Sequence, residues 1–145
     1  MTNPMTTAEA SGAGQAPPPQ VWPAFRARDA RALIRFLVDA FGFEETVTYG
    51  EGGRVDHAQL DWPEGGGVML GSVCDDGGQW PVESTGCYVV TADPDAVHAR
   101  AVAAGAEIVR PPYDTDHGSR DFAARDPEGN LWQFGTYRGE PRRGA

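Results

Sequence analysis

Arg125-Asp126-Pro127-Glu128-Gly129-Asn130-Leu131-Trp132-Gln133-Phe134-Gly135-Thr136 is an apolar run entered through a turn. It has a counterpart 64 positions earlier, Asp61-Trp62-Pro63-Glu64-Gly65-Gly66-Gly67-Val68-Met69-Leu70-Gly71-Ser72. Pro-Glu-Gly meets Pro-Glu-Gly, and Gly71-Ser72 meets Gly135-Thr136. The same offset, followed toward the N-terminus, pairs Asp29 with Asp93, Val38 with Val102, Ala40 with Ala104 and Tyr49 with Tyr113. Matches that keep their order across both halves mark a duplicated module, longer than most solenoid repeats and present twice.

Each copy parses alike. Asp29 and Asp93 suit helix N-caps, because a carboxylate accepts from the free amides of a first turn. Leu33, Ile34, Leu37, Val38 and Phe41 recur at helical spacing before Gly42, a stop signal. In the second copy Pro94 takes the first helical position, where its missing N–H costs nothing, and Val97, Ala101, Val102 and Gly105 follow. Short strands precede the helices, at Val21–Ala27 and Cys87–Thr91. Three strand-like segments follow each helix: Phe43–Tyr49, Val55–Trp62 and Val68–Ser72, then Glu107–Pro111, Arg120–Arg125 and Leu131–Tyr137. Pro63–Gly67 and Pro127–Asn130 are the turns of closing hairpins. The expected fold is α+β, βαβββ twice: module one over residues 21–72, a connector over 73–85 and module two over 86–137. Residues 1–20, with Pro17, Pro18 and Pro19 and little to bury, read as a disordered lead, and 138–145 as a tail. A module of about 60 residues has a thin core alone. Two such sheets gain by pairing, and their free faces are expected to cup a shared cleft.

Composition removes several kinds of chemistry. The 145-residue chain contains no lysine, which excludes Schiff-base catalysis and a phosphate-loop lysine. A net charge of −9 argues against nucleic acid, whose phosphates need a basic face, and suits a cationic ligand. Cys74 and Cys87 have no metal-motif spacing and form no disulfide framework. The N-terminal stretch lacks the basic and apolar regions of a signal peptide, and no apolar run approaches the roughly 20 residues of a membrane helix. The expectation is a cytoplasmic protein that engages no membrane.

His117-Gly118-Ser119-Arg120-Asp121-Phe122 through Arg125-Asp126-Pro127-Glu128-Gly129-Asn130-Leu131-Trp132 resembles the closing hairpin of the glyoxalase/bleomycin resistance protein/dioxygenase (vicinal oxygen chelate) superfamily. Ala103-Ala104-Gly105-Ala106-Glu107-Ile108 and Ala40-Phe41-Gly42-Phe43 resemble its helix-to-strand joints. The resemblance spans Val21 to Tyr137. It implies the cupped fold, and a homodimer, often with modules exchanged between chains. The family's metal enzymes hold a divalent ion on the first and last strand of each module, and those positions carry over to Trp22, Met69, Gly86 and Gln133. An indole, a thioether, a bare α-carbon and one amide do not make a site for a hard ion. A one-residue slip does not help, since neither the first nor the fifth strand contains His, Asp or Glu. No metal and no other cofactor is expected.

Strand alternation gives the cleft lining. Met69 and Gln133 face it while Val68, Leu70, Trp132 and Phe134 face the helices. Trp22, Ala24 and Arg26 line it from the first strand, Tyr88 and Val90 from the fifth, and His57 and Gln59 from the third. The repeat partners of His57 and Gln59 are Asp121 and Ala123. His57 opposite Asp121 reads either as a base held by a carboxylate or as a polar lining residue. His117, in the loop Tyr113–Gly118, is placed near the cleft mouth, His98 on the solvent side of the second helix. Arg120 and His117 are counted with the cleft residues, Arg120 either anchoring the loop through a carboxylate such as Asp116, the favoured reading, or presenting a cation to an anionic substrate. The leading expectation is bleomycin-resistance-type sequestration of a small organic molecule, cationic or aromatic, in this pocket. The alternatives are a glyoxalase-like lyase or isomerase or a dioxygenase-type enzyme, with non-standard or no metal ligands and His57 as base, and a protein-binding module with a vestigial cleft.

Overall fold

The computed structural model describes residues 22–73 and 85–140. The lead, Val21, Cys74 with the rest of the connector, and the end of the tail lie outside the described residues. The element order is β1 (Ala24–Ala27), α1 (Ala30–Phe36), a π-helical turn (Leu37–Phe41), β2 (Glu44–Tyr49), β3 (His57–Asp61), β4 (Gly67–Ser72), β5 (Gly86–Val90), α2 (Pro94–Ala103), β6 (Glu107–Asp114), β7 (Arg120–Arg125) and β8 (Leu131–Gly135). This is βαβββ twice. The strands form two four-stranded sheets in equivalent orders, β1-β4-β3-β2 and β5-β8-β7-β6. In each, the first strand runs parallel to the last, so the module closes on itself.

Local sequence explains most of this. The Asp29 and Asp93 carboxylates accept from the amides of Ala32 and Ala96, both at 3.1 Å, and so start the helices. The first helix then widens by one residue: Gly42 and Phe43 both donate to the carbonyl of Leu37, and Gly42 adopts a left-handed φ of 91°. The extra residue re-aims the helical stripe, burying Ala40 with Leu37 and Phe41 and leaving Val38 half-buried. In the second helix Pro94 and Ala101 are buried, but Val102 is 52 % exposed, so its match to Val38 is not a core match. β6 runs three residues past its expected end at Pro111, through Pro112 to Asp114. It is an edge strand with register shifts at Arg110, where prolines withhold no necessary hydrogen bond.

The helix-side faces of the two sheets share one core. Trp132 of β8 is fully buried, with its ring centroid 5.6 Å from Phe25 and 5.5 Å from both Phe41 and Phe43 of module one. Phe134 extends the contact to Phe41 and Trp62. The buried carboxylate of Asp126 receives the Trp132 indole N–H (2.8 Å), the Asn130 amide (2.8 Å) and the backbone N–H groups of Glu128 and Asn130. This is why Asp-Pro-x-Gly-Asn enters the strand: one carboxylate folds the turn and supplies the partner that lets an indole go into the core.

The repeated Pro-Glu-Gly does more than turn the chain. Glu128 accepts from the backbone N–H groups of Arg28 (3.0 Å) and Asp29 (2.9 Å), at the start of module one's helix. Glu64 accepts from the N–H of Ala92 (2.9 Å) and the hydroxyl of Thr91 (2.8 Å), at the start of module two's helix. Each turn grips the strand-to-helix joint of the other module and places a carboxylate beside a positive helix end. Glu64→Ala and Glu128→Ala are each expected to lower unfolding free energy by about 1–2 kcal/mol, read from the urea midpoint at unchanged slope.

Candidate functional site

With both helix-side faces merged, the two open faces look away from the core. The alternation expected from sequence is observed: Phe25, Ala58, Leu60, Val68, Leu70, Val89, Trp132 and Phe134 are buried, while Arg26, His57, Gln59, Met69 and Gln133 are half-buried and Ala24 and Tyr88 exposed.

The first open face carries Ala24, Arg26, His57, Gln59, Met69 and Gly71. Its cavity, about 180 Å³, is lined from β1, β3 and β4 and the Asp56 that precedes β3. Tyr49, the strand partner of His57, stacks on its imidazole at 6.3 Å and 20°. The amide of Gln59 donates to Asp61 (3.0 Å). The second open face carries Tyr88, Leu131 and Gln133, which with Cys87 line a hollow of about 200 Å³. Tyr113 and Asp121 are strand partners beside it, and the Arg110 guanidinium lies 3.4 Å above the Tyr113 ring. Burial pushes the Cys87 thiol up from its ordinary value, which keeps it protonated and a poor nucleophile near neutral pH. A larger cavity of about 370 Å³ opens at the seam of the modules, against Pro23, Phe43, Trp62, Glu64, Tyr88 and Arg138.

Several sequence-based placements change. Trp22 precedes β1, its ring close to Gly67, and Gly86 pairs with Leu131. The residues beside Met69 and Gln133 are instead Ala24 and Tyr88, two positions later in each module. β1 is shorter than expected and starts its pairing at Ala24, with the Met69 amide donating to the Pro23 carbonyl just before it, while β5 pairs from Gly86 onward. The central set is therefore a methyl, a thioether, a phenol and a carboxamide, which does not fit a hard divalent ion.

His57 and Asp121 are not brought together within the chain. His57 belongs to the first face, whereas Asp121 is bonded on the second to Ser119 and Gln133. Arg120 does not reach Asp116. It faces the helix side of β7 and makes a two-pronged pair with Asp95 of α2 (2.9 and 3.1 Å) and a bond to Asp114 (3.2 Å), the residue opposite it in β6. That guanidinium holds the Asp95 carboxyl below its ordinary value. His98 turns inward, edge-on to Phe122 at 5.3 Å. His117 is exposed at the β6–β7 turn, edge-on to Tyr137 at 5.4 Å.

Ser119, Gly135 and Tyr113 belong to the second face although sequence reasoning did not select them. The matched pair Tyr49 and Tyr113 was the available signal for the aromatic walls. Gly135 has no side chain for a local reason: a Cβ there would collide with the Asp121 carboxylate and the Tyr88 hydroxyl. Gly135→Ala is expected to displace both groups and cost about 1–3 kcal/mol, measured by urea denaturation.

The comparisons with known proteins agree with this geometry. The family model described as the glyoxalase/bleomycin resistance protein/dioxygenase superfamily matches residues 20–134. The solved structure of TioX from Micromonospora sp. ML1 is 32 % identical, covering 79 % of this chain and 94 % of its own, with a TM-score of 0.66. A glyoxalase/bleomycin resistance protein from Streptomyces sp. CB03234 is 26 % identical over 77 % of this chain and 94 % of its own (TM-score 0.59). TnmS3, an antibiotic binding protein from the same strain, shares the fold at 24 % identity, over 77 % and 88 % of the two chains (TM-score 0.59). A search of curated proteins returned no match. No helix among the described residues is long and apolar enough to cross a membrane. The chain belongs to the glyoxalase/bleomycin resistance protein/dioxygenase superfamily.

Proposed function

We propose that this protein sequesters a small planar organic molecule, antibiotic-like in size, as a homodimer and without a metal or other cofactor. The observation that carries the reading is the composition of the strand centres. Met69, Tyr88 and Gln133 stand at mid-strand on the open faces, with Ala24 at the start of β1 beside Met69, and together they offer apolar contact and an aromatic ring and lack a hard-metal donor set. Walls of Tyr49 on His57 and Arg110 on Tyr113 suit stacking against a flat ligand.

Homodimerisation follows from the size of the faces. On the open faces the hollows of about 180 and 200 Å³ fall short of the roughly 300–1,000 Å³ of a drug-sized pocket, a range that only the seam cavity of about 370 Å³ reaches among those described above. Setting the first face of one copy against the second face of another doubles the walls and closes the cleft.

The test pairs sedimentation with thermal unfolding in the presence of planar aromatic compounds, with and without EDTA. A dimer whose melting temperature rises by several degrees at saturating ligand, unchanged by EDTA and with the ligand recovered intact, is expected. Chemical conversion of the ligand, or stabilisation abolished by EDTA, would replace this reading with an enzymatic one.

A further inference from the structure

Asp121 is 3 % exposed, yet it lies on the open-face side of β7, between Gly135 on one neighbouring strand and Tyr113 on the other. Its oxygens accept from the Ser119 hydroxyl (2.5 Å) and the Gln133 amide nitrogen (3.0 Å). Both donors are neutral. The ion pairs of the described residues leave Asp121 out: the adjacent Arg120 points to the opposite face of the sheet, and the Arg110 guanidinium, on the same face, lies over the Tyr113 ring. A buried carboxylate bonded only to neutral donors has no counter-charge among those donors and can pair with a cation that reaches it. Behind it stand Phe122, Phe134 and Trp132, so a counter-charge can approach only from the open side.

The groups around the carboxylate fix the chemistry of what approaches. A carboxylate accepts and cannot donate, so it claims the N–H₂ end of Gln133 and turns the carbonyl end toward the face as an acceptor. Tyr88, 41 % exposed, brings its hydroxyl close to the same carboxylate above Gly135 and leaves its ring available. One acceptor, one phenol and one aromatic face around a buried anion match a protonated nitrogen on a flat ring. The first face lacks all of this at the matching positions, which are His57, Met69 and Ala24.

We propose that the second open face is a cation-selective subsite, built by Asp121, Gln133 and Tyr88, for the protonated amine or amidinium of a planar aromatic ligand. The proposal rests on the sequestration reading and names the class of molecule sequestered.

The experiment compares two fluorescent ring systems of one shape, 9-aminoacridine, a cation near neutral pH, and acridine, neutral there. Wild-type protein is expected to bind 9-aminoacridine at least about tenfold more tightly. Asp121→Asn is expected to bring the two affinities to within about twofold by weakening the cation alone. Asp39→Asn, which removes an exposed charge on the helix side, is expected to leave the ratio unchanged. Equal binding of both dyes by wild-type protein overturns cation selectivity while sequestration stands. The proposal is also overturned if Asp39→Asn narrows the ratio as far as Asp121→Asn does, since bulk charge would then be the cause. Binding of neither dye overturns both readings. The wild-type ratio needs no variant, so the proposal stays refutable if Asp121→Asn does not fold.

Discussion

The insertion of Trp132 among Phe25, Phe41 and Phe43 is the contact on which the architecture depends. A side chain of module two fills the core of module one, and neither module could bury that area alone. The insertion is possible because Asp126 meets the indole N–H inside the protein. Without that partner the burial of Trp132 would carry the cost of an unsatisfied donor. The merged core then dictates where function can occur. It consumes one face of each sheet, and the remaining faces are left looking outward.

The duplication is nearly symmetric in backbone and asymmetric in chemistry. The Glu64 and Glu128 clasps, the Asp29 and Asp93 caps and the parallel first-to-last strand pairing repeat at the same offset. On the open faces the matched positions diverge: Ala24 against Tyr88, Met69 against Gln133, His57 against Asp121. The core positions diverge as well, Phe25 against Val89, Ala58 against Phe122 and Val68 against Trp132, so what repeats is the set of caps, turns and clasps that fixes the backbone. One face offers thioether, methyl and imidazole, and the other offers phenol, amide and carboxylate.

Much of the fold was legible in the residues. The 64-position offset, the two aspartate caps and strand alternation placed the modules and assigned side chains to core or open face, because those signals depend on neighbours in sequence. What was not legible depends on partners far away. The register of β1 is set by pairing with β4, so Ala24 and not Trp22 lies beside Met69. Arg120 chose Asp95 and Asp114 over Asp116 because β7 turns it toward the helix. His98 sits on Phe122 because α2 packs on its own sheet. The two halves were expected to cup one cleft with their free faces. The shared aromatic core shows that it is the helix-side faces that merge within the chain, and no local pattern reveals which face of a sheet another module will cover.

The order of synthesis gives the Trp132 contact a further meaning. Phe25, Phe41 and Phe43 leave the ribosome well before the indole that covers them, which lies on the last strand of the second module. The Glu128 acceptor for the amides of Arg28 and Asp29 emerges equally late. The first half must therefore wait, with aromatic side chains uncovered, until the last strand of the second module has been made. Nascent chains in that state are prone to associate with one another. A small protein with short strands and local hairpins thus acquires, through one distant tryptophan, the folding schedule of a larger one.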